Sequence, residues 1–112
     1  MPFGYAGQIL YVDLSKGKIT KKVLPTDWCR MFLGGSGIND WILYNEVGPE
    51  VDPLSPENRL IFGVGPLAAT PIPLGSKTRV TAKSPLTGIF GDGSCGGMWG
   101  PTLKHAGYDH LV

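Results

Sequence analysis

Five glycines punctuate the ten residues from Gly91 to Gly100, and they leave that backbone almost bare around Asp92, Ser94 and Cys95. Bare backbone can adopt positive φ and come close to a ligand. Amide N–H groups facing outward at a helix start bind anions, phosphate above all. A tight turn that uses glycine only for its dihedrals accounts for the same residues. Just upstream, Lys77 and Arg79 alternate on a predicted strand, Ser76–Lys83. If they share a face, they direct two positive charges at one ligand, the arginine as a planar fork and the lysine as a point charge. An exposed strand face is the other reading. The spacing Gly91-x-Gly93-x-x-Gly96 matches a dinucleotide fingerprint only literally. That fingerprint needs a parallel βαβ unit and an acid about 20 residues on, whereas the next acid after Gly96 is Asp109.

Other chemistry is thin. His105 and His110 are the only histidines and have no obvious partners, and no paired-carboxylate or His-x-x-x-His pattern occurs. Cys29 and Cys95 are far apart and neither sits in a Cys-x-x-Cys pattern, which argues against a self-contained zinc or iron–sulfur site. Cys95 is either a reactive thiol near a helix start or a small residue filling a turn. Trp28 and Trp41 fit a helical core face, with ligand stacking as the alternative.

The elements that must position these residues are short. Gly7–Leu14 and Lys18–Leu24 alternate as strands about a Ser15-Lys16-Gly17 turn and predict a β-hairpin. Lys16, Lys18, Lys21 and Lys22 cluster on it, as suits a solvated edge. Thr26 and Ser36 are candidate caps for two helices, to Leu33 and from Gly37 to Val47, separated by Gly34-Gly35. Pro49, Pro53 and Pro56 predict a loop, and Leu60–Val64 a buried strand. After the glycine stretch, a helical turn or two at Pro101–His105 and a strand from Tyr108 to Val112 complete the order β-β-α-α-β-β-β-α-β, an α+β pattern. If the Tyr108–Val112 strand is unpaired, its edge would favour self-association.

With 17 glycines and 10 prolines in 112 residues, a long helical bundle is excluded. Leu, Ile, Val and Phe make up about a quarter of the chain, enough for a core. Ten basic residues against nine acidic ones give a net charge of +1, and no aromatic residues interleave with the lysines, so nucleic-acid binding is not expected. No apolar run of about 18 residues occurs, so a cytoplasmic protein without a membrane span is expected.

Several blocks carry a family resemblance. They are Gly7-Gln8-Ile9-Leu10-Tyr11-Val12-Asp13-Leu14, Phe32-Leu33-Gly34-Gly35-Ser36-Gly37, Val51-Asp52-Pro53-Leu54-Ser55-Pro56-Glu57-Asn58-Arg59-Leu60-Ile61 and Gly65-Pro66-Leu67. Further on come Lys83-Ser84-Pro85-Leu86-Thr87-Gly88, Gly96-Gly97 and Lys104-His105-Ala106-Gly107-Tyr108-Asp109. In this order the chain resembles the N-terminal region of the aldehyde:ferredoxin oxidoreductase family, tungsten or molybdenum bis-pterin enzymes. The resemblance implies that residues 1–112 are a partial N-terminal domain, about half of a mostly antiparallel β base with two or three short helices on which the cofactor lies. It implies aldehyde oxidation to carboxylate with ferredoxin as electron acceptor; one branch instead reduces an aromatic ring in acyl-CoA substrates. Pterin phosphates and a bridging magnesium ion would be held by Lys77, Arg79, Gly93, Ser94, Cys95, Gly96 and Gly97, with the Ser94 backbone on magnesium. Lys77 stands where the family usually has arginine, and Ser94 where it often has asparagine. The 4Fe–4S cluster and substrate cavity belong to later domains of the family, so this chain alone should not turn over aldehyde. Its expected partners are the missing remainder or a second copy of itself. A stand-alone self-associating scaffold is the competing expectation, and a nucleotide-binding module a third.

Overall fold

The protein, described here over residues 3–112 of a computed structural model, builds one six-stranded sheet and three helices. Strands β1 (Gln8–Asp13) and β2 (Lys18–Val23) form the expected antiparallel hairpin, with Gln8 opposite Val23 and Asp13 opposite Lys18. The Asp13 carboxylate closes its turn by accepting the amides of Ser15 and Lys16, both at 3.0 Å. Helices α1 (Thr26–Phe32) and α2 (Ser36–Glu46) follow. Their caps differ from expectation. Pro25 and Gly35 hold the N-cap positions, and neither Thr26 nor Ser36 makes a capping bond. The turn between them bends too sharply for a side-chain cap, because Gly35 at φ 54 turns its amide onto Val64 O, 3.2 Å away.

Strands β3 (Leu60–Val64), β4 (Thr78–Lys83) and β5 (Phe90–Cys95) make an antiparallel meander; α3 (Trp99–His105) and β6 (His110–Leu111) close the chain. The spatial order is β2-β1-β6-β3-β4-β5, and only β1 and β6 run parallel. Two expectations are corrected. Much of the glycine stretch is not a turn: Gly91 to Cys95 lie in a strand, because pairing with β4 from Lys83–Phe90 to Thr78–Cys95 outweighs glycine's poor strand propensity. The segment Tyr108–Val112 is not an open edge either. Its β6 pairs with β1 on one side and β3 on the other, and the real edges are β2 and β5. The edge-pairing basis for self-association is therefore gone.

Side-chain alternation gives the sheet two faces. One packs Ile9 and Ile61 against Cys29 of α1 and Ile38, Ile42 and Leu43 of α2, with Leu24 beneath them. The other carries Leu10, Val12, Phe62, Val80 and Ala82, half exposed, and α3 touches it only at one end, where Trp99 packs on Phe62 at 4.9 Å between ring centroids.

Asn39 and His110 form a matched polar pair inside this frame, although His110 Nε2 and Thr78 Oγ1 are buried without a partner. The Asn39 side-chain amide donates to Ile61 O, Arg79 O and Thr81 Oγ1, so its Oδ1 faces His110 Nδ1 at 2.8 Å. An amide oxygen only accepts, so Nδ1 carries the proton and donates. Gly63 lies between them, and any Cβ there would collide with both Asn39 Oδ1 and His110 Nδ1. The family blocks acquire a physical meaning here too. Lys83, 9% exposed, donates to the carbonyls of Gly48, Pro49 and Val51 at 3.3, 2.8 and 2.7 Å. Asn58 donates to Pro53 O and Lys83 O and accepts from the Lys83 amide. The Asp-Pro-Leu-Ser-Pro-Glu-Asn and Lys-Ser-Pro-Leu-Thr-Gly blocks are thus two halves of one clamp.

Two outcomes follow for stability. Burial holds His110 down at a pKa of about 4; nearby Asp109 opposes this and Lys104 adds to it. Between pH 6.5 and 4 the unfolded chain therefore binds a proton that the folded chain refuses. Stability is full above pH 6.5 and falls as pH drops, by about 2 kcal/mol at pH 5. Urea midpoints measured from pH 7 to pH 5 should show this slope, and a flat profile would exclude it. Lys83→Met leaves three carbonyls without their donor and should cost about 2 kcal/mol in the same assay at pH 7.

Candidate functional site

The β5 edge is where the sequence-derived residues converge. The Ser84 amide donates to Ile89 O at 2.7 Å, which sets the alternation of the β4–β5 ladder. The pairs Ala82–Gly91, Val80–Gly93 and Thr78–Cys95 then exchange bonds inward. Phe90, Asp92 and Ser94 direct their N–H and C=O groups away from the sheet. Beyond the strand, the amides of Gly96 and Gly97 engage no acceptor among the described residues. Gly97 turns the chain toward α3 at φ 86, a conformation glycine adopts without strain. A Cβ built on Gly93, Gly96 or Gly97 would meet nothing within 4 Å, so the space beside this backbone is open.

The structure treats the two cations differently. Lys77 is exposed and lies one residue before β4. Continuing the register one step past Thr78–Cys95 puts it opposite Gly96. Arg79 is half-buried: its side chain lies over Gly35, and its guanidinium is engaged by the Asp92 carboxylate. By alternation Arg79, Asp92 and Ser94 lie on the face covered by α2, and Gly91, Gly93 and Cys95 on the open face. The same alternation puts Lys77, just ahead of β4, on the α2 face with Arg79, while the Ser94 carbonyl and the Gly96–Gly97 amides lie at the outer edge of β5. Asp92 was missed as Arg79's partner because the pairing depends on strand register, which has no local signature.

The open face beside this edge is flat and poor in side chains. Val80, Ala82, Gly91 and Gly93 form a shallow apolar floor with the Phe62–Trp99 pair at its margin. A flat apolar floor bordered by unengaged amides has the chemistry to accept a planar ring and an anion. Among the described residues, no group of three or more His, Cys, Asp or Glu is placed to hold a metal ion. The two cysteines are both free, Cys29 buried and Cys95 exposed at the end of β5. Burial, then the Asp109 charge, push the Cys29 thiol up. No helix among the described residues is long and apolar enough to cross a membrane.

With this geometry in hand, comparison with known proteins defines the class. The family model for the aldehyde ferredoxin oxidoreductase N-terminal domain matches residues 9–112, and the chain belongs to that family. It is similar to the tungsten-containing aldehyde ferredoxin oxidoreductase of Pyrococcus horikoshii, 43% identical over 98% of this chain and 18% of the relative. The WOR-like subunit of an aliphatic sulfonate oxidoreductase from Pyrococcus furiosus is 38% identical over the same shares. Among solved structures, a chain of the active site complex BamBC of benzoyl coenzyme A reductase, in complex with 1,5-dienoyl-CoA, superposes with a TM-score of 0.96 at 42% identity. That match covers 99% of this chain and 17% of the other. The chain thus spans less than a fifth of the curated relatives it matches.

The two thiols provide a direct check on the site. With the chain folded, a colorimetric thiol reagent should react with one equivalent, at Cys95, and with a second only after unfolding in urea. Two equivalents in the folded state would place Cys29 outside the core.

Proposed function

We propose that this chain is the cofactor-base portion of an oxidoreductase and grips the phosphate end of a tungsten–pterin cofactor along the β5 edge. The observation that carries this reading is the placement of exposed Lys77 opposite Gly96, whose amide, like that of Gly97, engages no acceptor among the described residues. The residues fit the group. The Gly96 and Gly97 amides and Lys77 would take phosphate oxygens, the outward Ser94 carbonyl would take a magnesium ion, and Gly93 would leave room for close approach. Because a carbonyl would be the ligand at Ser94, serine serves there as well as asparagine. Cys95 borders the same space from the open face. Arg79, ion-paired to Asp92, would hold the edge strand and lend its charge from behind. When bound, the metal would supply two-electron exchange with the substrate.

The reaction we infer for the whole enzyme is oxidation of an aldehyde to a carboxylate, with electrons passed through a 4Fe–4S cluster held elsewhere to ferredoxin. The tungsten-containing aldehyde ferredoxin oxidoreductases among the relatives support it. A second reading, reduction of an aromatic acyl-CoA, is favoured by the near-identical backbone of the benzoyl coenzyme A reductase chain. On either reading this chain supplies binding and orientation, and it should not turn over substrate without the rest of the enzyme.

Lys77→Ala should weaken binding of a metal-free pterin phosphate by about tenfold, the scale of one charge-assisted contact. Arg79→Ala should weaken it less, because its charge is already matched by Asp92. Calorimetric titration checks both. Unchanged affinity in the Lys77 variant would overturn the site.

A further inference from the structure

On the opposite side of the sheet from the glycine-paved floor, a groove of about 1070 Å³ runs between α2 and the loop leading into β5. Phe32, Trp41 and Tyr44 stack along its helical wall, with ring centroids 5.0 and 6.4 Å apart and planes within 26° and 19° of parallel. Ile89 and Phe90 form the other wall, and Asp40 is the one carboxylate on its lining. Tyr44 is 81% exposed, Ile89 68% and Phe90 45%. The pterin-edge reading uses none of these side chains.

Charge says what covers this groove. Asp40 Oδ1 is shut off from solvent and has no hydrogen-bond donor. The nearby Arg79 guanidinium pairs with Asp92 through Nη2, and its buried Nε reaches no acceptor, Asp40 included, so two carboxylates share one cation and one negative charge is left over. Lys83, the one cation among the lining residues, donates to three backbone carbonyls, as many as an ammonium has protons. A half-desolvated carboxylate beside a near-parallel aromatic ladder suits a guanidinium, which stacks on the rings and donates to the carboxylate oxygen that still faces the groove.

We propose that this groove docks a protein segment in which an arginine is flanked by apolar side chains, with the guanidinium on Asp40 and the apolar side chains against Trp41, Tyr44 and Phe90. The source is the remainder of the oxidoreductase. More than four-fifths of each curated relative lies outside the matched region, and an apolar wall of this size is out of keeping with a solvent-facing surface. The source, but not the groove chemistry, rests on the family reading above. Burial, reinforced by Asp92 and opposed by Arg79, holds the unoccupied Asp40 carboxyl above the usual carboxylate range, so docking a cation should release protons near that pH.

The probe is the peptide N-acetyl-Leu-Arg-Leu-amide, titrated into the 15N-labelled full chain alongside its citrulline analogue, which keeps the shape and loses the charge. The arginine peptide should move the Trp41 indole and Asp40 amide resonances and bind about tenfold more tightly than the citrulline peptide. Asp40→Asn, a near-isosteric change, should remove that preference, and Tyr44→Ala should weaken both peptides. Lys77→Ala should leave the peptide titration unchanged and Asp40→Asn should leave pterin phosphate binding unchanged, so the two sites fail independently. Equal affinity for the two peptides, or a preference that survives Asp40→Asn, overturns the proposal. No shift at Trp41 overturns it as well, because Asp40 is then satisfied by Arg79. A concentration-dependent dimer in sedimentation that Tyr44→Ala abolishes replaces it with a second copy as the occupant.

Discussion

Two residues of β6 hold the sheet together. The β1–β2 hairpin and the β3–β4–β5 meander share no direct pairing, and His110–Leu111 fills the gap between them. The flanking residues bond to both sides: Asp109 N to Gln8 O, Val112 N to Leu10 O and Val12 N to Val112 O toward β1, and Val64 N to Asp109 O toward β3, at 2.8 to 3.0 Å. Two residues of ladder are a weak weld. The buried side chains reinforce it. The Asp109 carboxylate accepts the amides of Ala6 and Gly7 and the Lys104 ammonium, and His110 donates to Asn39 of α2. A buried carboxylate with this many donors is favourable only because every one of them is in place.

The site inherits its geometry from that weld. β3 is held by β6, β4 by β3, and β5 only by β4, so the edge that carries Ser94 and the free amides stands at the end of a chain of pairings. The Asn58–Lys83 clamp fixes the start of the β4–β5 connection, and the Arg79–Asp92 ion pair fixes its middle. Between these ties the strand has little side chain of its own. It is stiff where β4 pairs with it and open where a ligand would approach.

An open apolar face on one side and an aromatic groove on the other leave this sheet only partly covered. A sheet buries at least one face fully and normally covers the second. Here α1 and α2 cover one face, α3 covers only a corner of the other, and Ile19, Val23 and Leu60 remain more than half exposed. The relatives, more than five times longer than the matched region, contain the material to cover both.

Sequence alone settled whatever depends on neighbours along the chain. The placement of every element but β5, the first hairpin, the Lys-rich edge of β2 and the α+β class follow from periodicity, turn residues and proline, which act over a few positions. The family blocks were legible as patterns, although their physical content, a lysine caged by carbonyls and an asparagine bridging two loops, was not. What only the tertiary structure decided lies at long sequence separation. The central place of β6, the strand character of Gly91 to Cys95, the capture of Arg79 by Asp92 and the burial of His110 against Asn39 each depend on which strand lies beside which. A chain with period-two alternation shows that it will pair but not with whom, because the pairing energy resides in contacts that exist only once the sheet has closed.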